Sequence, residues 1–510
     1  MKLLVALALT ALAVAMCVGH GVATRPIRGD NQLYFFQTER CASGVPPHVA
    51  HLEVKTQLPT MIGAAALVVG RQFSVHDVTS GRIACVAAAA VAVVLGWLLV
   101  LELTGSMAAS LVGGAAMLSI FGLFMEAASG FQPKVFLLPF LLGAHLACAQ
   151  RKDAVTGAAG AAAFLCWQPA GLVLASCGLA TLLDRQVTWK RLLKMVVGAA
   201  VVFGAYEAWF AWNGALAQQL DQEWVLAFGA PHKPTVWAEA AWFVLTEAQA
   251  QLQRPNGLPS VFVAASALLW LGILFSPQRA LAVLRERPGL VAFWLAAHLT
   301  TLFTLYDHQA HPDMLLVQPY FAAACGIASG WLFRVLVKAP GGRHLALAAT
   351  TGFVILGLLD ARSDVARSIT RSYDLEHQFT QGRLASLYQD HRLSIWAVGS
   401  VHLLALNRLD NWVPVGNVGH ETSRLDMKNY RPLRDGVMPE IILAGRGLKP
   451  GIGSWLTKEY VEITPAIYAA DRIRVYSRRR GELPGFEKTT APKAVALPRN
   501  PGASAPKPRG

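Results

Sequence analysis

Apolar residues in this 510-residue chain come in long runs separated by short polar breaks. Residues 3–23 form the first run and a polar passage, 25–56, follows it. After a short apolar segment at 58–70 come runs at 83–103, 107–127 and 135–149. These three are plausible spans of a hydrocarbon core of about 30 Å, which a helix of roughly 20 residues crosses. The stretch 154–183 is apolar throughout but carries Trp167-Gln168-Pro169 in its middle. Proline removes a ladder donor, so this stretch predicts two short helices meeting at a turn. Runs at 192–212, 260–275, 290–305, 314–336 and 345–359 complete the series, and about 10–12 transmembrane helices are expected.

Beyond residue 360 the pattern changes. Residues 393–398 read as a strand leading to a helix near 401–406, and 440–444 as a buried strand. The stretches 460–463 and 472–476 alternate as half-buried strands do. A small α/β domain within 361–480 is therefore expected after a membrane domain at 1–360, with a first outer loop at 24–57 and a long one at 213–259. The latter holds an amphipathic stretch, with Trp237, Ala241, Leu245, Ala248 and Leu252 on one face, that reads as interfacial or as a partly buried loop helix. Residues 481–510 repeat Pro, Ala and Lys with few large apolar side chains, the composition of a disordered tail. The fold class is thus a mainly α polytopic membrane protein with an appended α/β domain.

Composition agrees, with 54% apolar and 15% charged residues. A formal net charge of +14 raises the question of nucleic acid, but the basic residues sit in short loops and the tail with no binding motif, so no nucleic-acid partner is expected. Read as topology, the clusters at Arg151-Lys152, at Arg185 to Lys194, at Arg279 to Arg287 and at Arg334 to Arg343 are cytoplasmic. Counting back from them places 25–56, the Trp167-Gln168-Pro169 turn, 306–313 and the C-terminal domain on the outer side of what is expected to be a bacterial plasma membrane. The first run lacks a clean cleavage site and reads as a retained span. Six of the seven cysteines lie in apolar stretches, so neither a disulfide framework nor a metal-ligand spacing emerges.

Candidate chemistry concentrates in 25–56, where Asp30, Glu39, His48, His51, Glu53 and Lys55 lie close together. Three groups of residues there and beyond resemble the GT-C superfamily of membrane glycosyltransferases, either of the bacterial RgtA/B/C/D kind or of the dolichyl-phosphate-mannose mannosyltransferase kind. They are Gly29-Asp30-Asn31-Gln32-Leu33-Tyr34-Phe35 followed by Lys55 before a short apolar segment, Ser129-Gly-Phe-Gln-Pro133-Lys134, and Leu165-Cys-Trp-Gln168-Pro169-Ala170. The turn Asp307-His308-Gln-Ala-His311-Pro312 before a long span is also similar. The resemblance implies inverting transfer of a sugar from a polyprenyl-phosphate carrier to a glycan, lipid or protein acceptor at the outer face. It assigns Asp30 as general base, and Lys55, His51, Lys134, Gln168, His308 and His311 to substrate binding. The superfamily often has a second acidic residue beside the first, where this chain has Asn31. No cofactor is implied; a divalent metal shared between a lone carboxylate and a lipid phosphate is compatible with the pattern but not required by it.

Each residue has a plainer reading. Asp30 suits the start of an interfacial helix running to Ala42, His48 and His51 suit a surface loop, and Lys55 suits a headgroup anchor. Glu126 and Lys134 fall at span ends, where solvation explains a charge, and Gln168 suits the repair of a broken helix backbone. Glu102 and Glu207, inside apolar runs, are expected to face a cavity or interface. The rival functional class is a transporter or flippase of lipid-linked sugars. Transporters tend to pair broken helices in repeated halves, and this chain shows one clear break and no repeat.

Overall fold

The structure, a computed structural model, describes residues 1–27, 30–50, 53–120, 122–226, 274–306, 311–338 and 341–369. In the C-terminal region it describes 395–398, 402–406, 441–444, 460–462 and 473–478, with single positions at 242, 271, 378 and 439. The expected amphipathic stretch at 237–252, most of the run at 260–275, and the tail lie outside the described residues.

Helix α1 (Lys2–Gly19) is followed by α2 (Asp30–Ala42), which lies within the polar passage, and by α3 (Leu58–Gln72). Then come α4 (Asp77–Thr104), α5 (Met107–Leu118), α6 (Leu123–Ser129), α7 (Pro133–Ala149), α8 (Asp153–Cys166), α9 (Gly171–Leu183) and α10 (Trp189–Trp212). Among the described residues four later helices, Pro277–Glu286, Pro288–Tyr306, Gln318–Leu336 and Gly342–Ile369, complete the helical body. Among the described residues six helices are long and apolar enough to cross a membrane. The run expected as one span at 107–127 is instead broken between α5 and α6, which meet at 51°. Three shorter apolar segments cover Pro133–Ala149, Asp153–Cys166 and Gln168–Leu183.

Packing rests on small residues. Helices α8 and α10 cross where a Cβ on Gly157 would fall 1.9 Å from the Met195 carbonyl oxygen, and one on Gly198 2.0 Å from that of Ala154. Only glycine permits this approach, and backbone proximity is the main source of helix association where lipid replaces water. The core continues through α4, α7 and the later helices, including Trp97, Phe293 and Tyr320. One buried cation interrupts it. Arg82 of α4 donates from its guanidinium to the carbonyls of Val22 (2.8 Å), Arg25 and Ser129 (3.4 Å), and so ties the approach to α2 and the end of α6 to one span.

The expected break at Trp167 is present. Trp167 is extended (φ −164°, ψ 118°), Gln168–Ala170 forms a single 3₁₀ turn, and α9 starts immediately after it. The hairpin returns to the side from which it came. Arg151, before α8, bonds the Asp184 carboxylate that follows α9 at 3.0 Å, and Arg191 at the start of α10 bonds both Asp184 and Asp153. This ionic knot lies at one end of α8, and Cys166 at the other end lines a cleft about 20 Å away by helix geometry.

In the C-terminal region four short strands form one sheet in the order β1-β2-β4-β3, with β1 (Ile395–Val398), β2 (Ile441–Ala444), β3 (Val461–Glu462) and β4 (Arg474–Ser477). Strands β1 and β2 are parallel, and the other neighbours are antiparallel. Three fall within the segments that alternation and burial pattern predict, and β4 overruns its segment by one residue, Ser477. Ile395, Ile441, Leu443 and Val475 pack in one cluster with Tyr34, Phe35 and Phe36 of α2, and Gln378 makes two 2.9 Å bonds to the backbone of Ile27. Helix α2 is therefore held between the helical body and the sheet.

Candidate functional site

A cleft of about 340 Å³, counting its open mouth, is lined by Tyr34, Lys55, Gln57, Thr60, Lys134 and Trp167 among others. Three parts of the chain build it: helix α2 on one side, the segment leading into α3 on another, and the starts of α7 and of the 3₁₀ turn below.

Asp30 is the first residue of α2 and is exposed. A carboxylate in this position complements the free N–H groups of the first turn. One turn on, Tyr34 is buried with its hydroxyl 3.1 Å from the Lys55 ammonium, which donates to it. Burial pushes the Tyr34 phenol up to about 12, so it stays neutral at physiological pH. The Tyr34 oxygen first, then the Glu53 and Asp30 carboxylates, hold the Lys55 ammonium above the ordinary lysine range against the opposing pull of burial. Glu53 turns its carboxylate back onto the backbone N–H groups of Val54 and Lys55, at 3.0 and 3.2 Å, and shapes the turn that presents Lys55.

Lys134 sits in the first turn of α7, paired with Asp313 and 4.6 Å from the Trp167 ring centroid. Asp30 and Lys55 act electrostatically on Lys134, which places all three in one local field. Gln168 donates at 3.0 Å to the carbonyl of Val54, so its amide braces the Lys55 segment, not its own helix break. Lys55 and Lys134 thus line one cleft, Gln168 braces the Lys55 segment from outside it, and Asp30 begins the helix that carries the lining residue Tyr34. His51 and His308 lie outside the described residues. His311 opens the short turn His311–Leu316 that carries Asp313, and its side chain likewise lies outside the description.

Several participants are missing from the sequence expectations. Tyr34 reads in sequence as one aromatic among three, and only its spacing of four from Asp30 on a helix signals a shared face. Glu126, expected at a solvated span end, is buried and accepts from Asn31, the neighbour of Asp30, at 3.3 Å. The break between α5 and α6 turns it inward. His48, expected on the surface, is also buried: its ring bonds Gln222 at 3.1 Å and Glu223 at 2.8 Å. Those partners lie 174 and 175 positions away, which no local pattern reveals. Glu207 does meet an interface, accepting from Gln219 at 3.3 Å, and Glu102 accepts from Gln150 at 3.4 Å. Among the described residues no group of three or more His, Cys, Asp or Glu side chains is arranged to hold a metal ion.

The chemistry available is that of an exposed carboxylate beside two ammonium groups at a half-enclosed cleft in a membrane protein. Residues 52–205 match the family model described as DolP-mannose mannosyltransferase, a stretch that includes Lys55, Lys134 and the 3₁₀ turn. The fold is that of ArnT from Cupriavidus metallidurans. The apo structure of that protein superimposes with a TM-score of 0.57 at 14% identity, covering 94% of this chain and 97% of the other. Its structure bound to undecaprenyl phosphate gives a TM-score of 0.57 at 13% identity, covering 94% and 98%. A search of the curated proteins finds no match by sequence. The protein is a multi-pass membrane glycosyltransferase of the GT-C type, with the family match supporting the activity and the ArnT likeness the architecture.

Proposed function

We propose that this enzyme transfers a sugar from a polyprenyl-phosphate carrier to an acceptor hydroxyl at the outer face of a bacterial plasma membrane, with inversion at the anomeric carbon. The observation that carries the reading is the placement of Lys55 and Lys134 on one cleft with Asp30 exposed beside them. In the reaction the acceptor oxygen attacks the anomeric carbon from the face opposite the phosphate. The bond from carbon to phosphate oxygen breaks, and polyprenyl phosphate departs with the electron pair. Asp30 takes the acceptor proton, help of a kind worth about 10² to 10⁴ in rate. Lys55 and Lys134 stabilise the charge that grows on the leaving phosphate, and the Trp167 ring beside Lys134 gives the first sugar or isoprene unit an apolar surface. His51, His308 and His311 are proposed to complete the phosphate-binding wall.

Outer placement is supported by the ionic knot of Arg151, Asp184 and Arg191, at the opposite end of α8 from the cleft. Basic groups favour the cytoplasmic side, so the cleft end faces outward. The undecaprenyl phosphate bound by ArnT and the DolP-mannose description of the matching family both support a polyprenyl-phosphate donor. We place the boundary between the membrane domain and the sheet domain near residue 360, with residues 481–510 as a separate tail. The test is to supply purified protein with radiolabelled polyprenyl-phosphate sugars and a membrane acceptor extract. A new labelled glycoside, with the label's anomeric configuration opposite to the donor's, is expected. Failure of every donor to yield product would reject the assignment.

A further inference from the structure

Behind the Lys55 segment lies a second buried polar cluster. After α10 and the helical turn Leu216–Leu220, residues Asp221–Leu226 wind as a π-helical turn, a feature frequent at functional sites. Two of its side chains reach the loop that carries Lys55. Gln222 accepts from the backbone N–H of Glu53 at 3.0 Å, while its own amide donates to the His48 carbonyl at 2.8 Å. Glu223 accepts from the Tyr206 hydroxyl and from Gln219 at 2.7 Å. The Tyr206 hydroxyl in turn accepts from the backbone N–H of Gln57 at 2.8 Å. Lys55 therefore sits midway along a five-residue strap whose first and last amides are both fixed by this cluster.

Apolar packing alone would not select these residues. His48, Gln222, Glu223, Tyr206 and Gln219 are all buried, and each buried polar group carries a desolvation cost unless it is fully bonded. His48 also holds a left-handed backbone (φ 66°), which non-glycine residues rarely adopt. The cluster bonds the strap's backbone without lining the cleft, so it fixes where the Lys55 ammonium stands but leaves the ligand itself untouched.

We propose that Tyr206, Gln222 and Glu223 are positioning residues that act on the donor phosphate through Lys55. The proposal rests on the reading that Lys55 meets that phosphate. Its test is the affinity of the full-length protein in nanodiscs for undecaprenyl phosphate, measured for wild type, Tyr206→Phe, Lys55→Met and the double variant. Tyr206→Phe removes the hydroxyl shared by Gln57 and Glu223. Loss of one hydrogen bond of about 1 kcal/mol corresponds to roughly fivefold weaker binding. Lys55→Met is expected to weaken binding tenfold or more, and the double variant to bind no worse than Lys55→Met within twofold, because the hydroxyl has nothing left to position.

A Tyr206→Phe protein that binds like wild type, or a double variant whose loss is the product of the two single losses, would overturn the proposal while leaving Lys55 in its role. Wild-type affinity in Lys55→Met would overturn both. Should Tyr206→Phe fail to accumulate in membranes, Gln222→Leu releases the other end of the strap and enters the same cycle, with the same outcomes deciding.

Discussion

Lys55 shows how surroundings redirect one side chain. A lysine before an apolar segment anchors at the headgroups by default, yet here its ammonium is turned onto Tyr34 and its backbone is bonded by Glu53. Arg82 has a comparable dependence. Its guanidinium serves three carbonyls at the approach to α2, and an unpaired buried carbonyl costs roughly 1–3 kcal/mol. Arg82→Met is accordingly expected to reduce stability by about 3 kcal/mol and to lower turnover more than donor affinity, because Asp30 rides on α2 while the lysines do not. Thermal unfolding in detergent alongside donor titration checks this; an unchanged melting curve would show that the three carbonyls find other partners. At this scale the cleft-lining Lys55 and Lys134 were legible because charged residues stand out in an apolar chain. Tyr34, Glu126 and His48 were not, because their environment comes from long-range packing and, for Glu126, from an unforeseen helix break.

The elements were easier to read than the contacts between them. Pro169 announced the hairpin of α8 and α9, and short apolar runs and alternation located the four strands to within a few residues. The break between α5 and α6 had no proline to announce it; the sequence there offers Gly122, whose positive φ of 81° the structure uses to start α6. The crossing of α8 and α10 had no distinct signal either, since the chain is rich in glycine and alanine throughout. It yields a direct expectation. Gly198→Val places a side chain against the Ala154 carbonyl, and overpacking of this kind costs about 1–3 kcal/mol. Because α10 carries Tyr206, the helix should shift and donor binding weaken, whereas Gly204→Val, where a Cβ meets nothing within 4 Å, should leave both unchanged. Equal behaviour of the two variants in a paired stability and binding assay would refute the proposed tight crossing.

Across the whole molecule, the arrangement is an ionic knot at one end of α8, a cleft at the other, and a small sheet closing over α2. The separation of the Arg151 and Arg191 loops from the cleft lined by Lys55 follows the charge pattern of the sequence. What the sequence did not show is that the C-terminal strands pack directly on Tyr34, Phe35 and Phe36 of α2, the helix that begins with Asp30. The helix that begins with Asp30, the proposed base, is thereby held by the helical body and the sheet together. The account stands most directly on Asp30. In single-turnover assays with labelled polyprenyl-phosphate sugar and acceptor extract, Asp30→Asn should bind undecaprenyl phosphate within about twofold of wild type and form product at least about a hundredfold more slowly. Undiminished transfer by Asp30→Asn would contradict it.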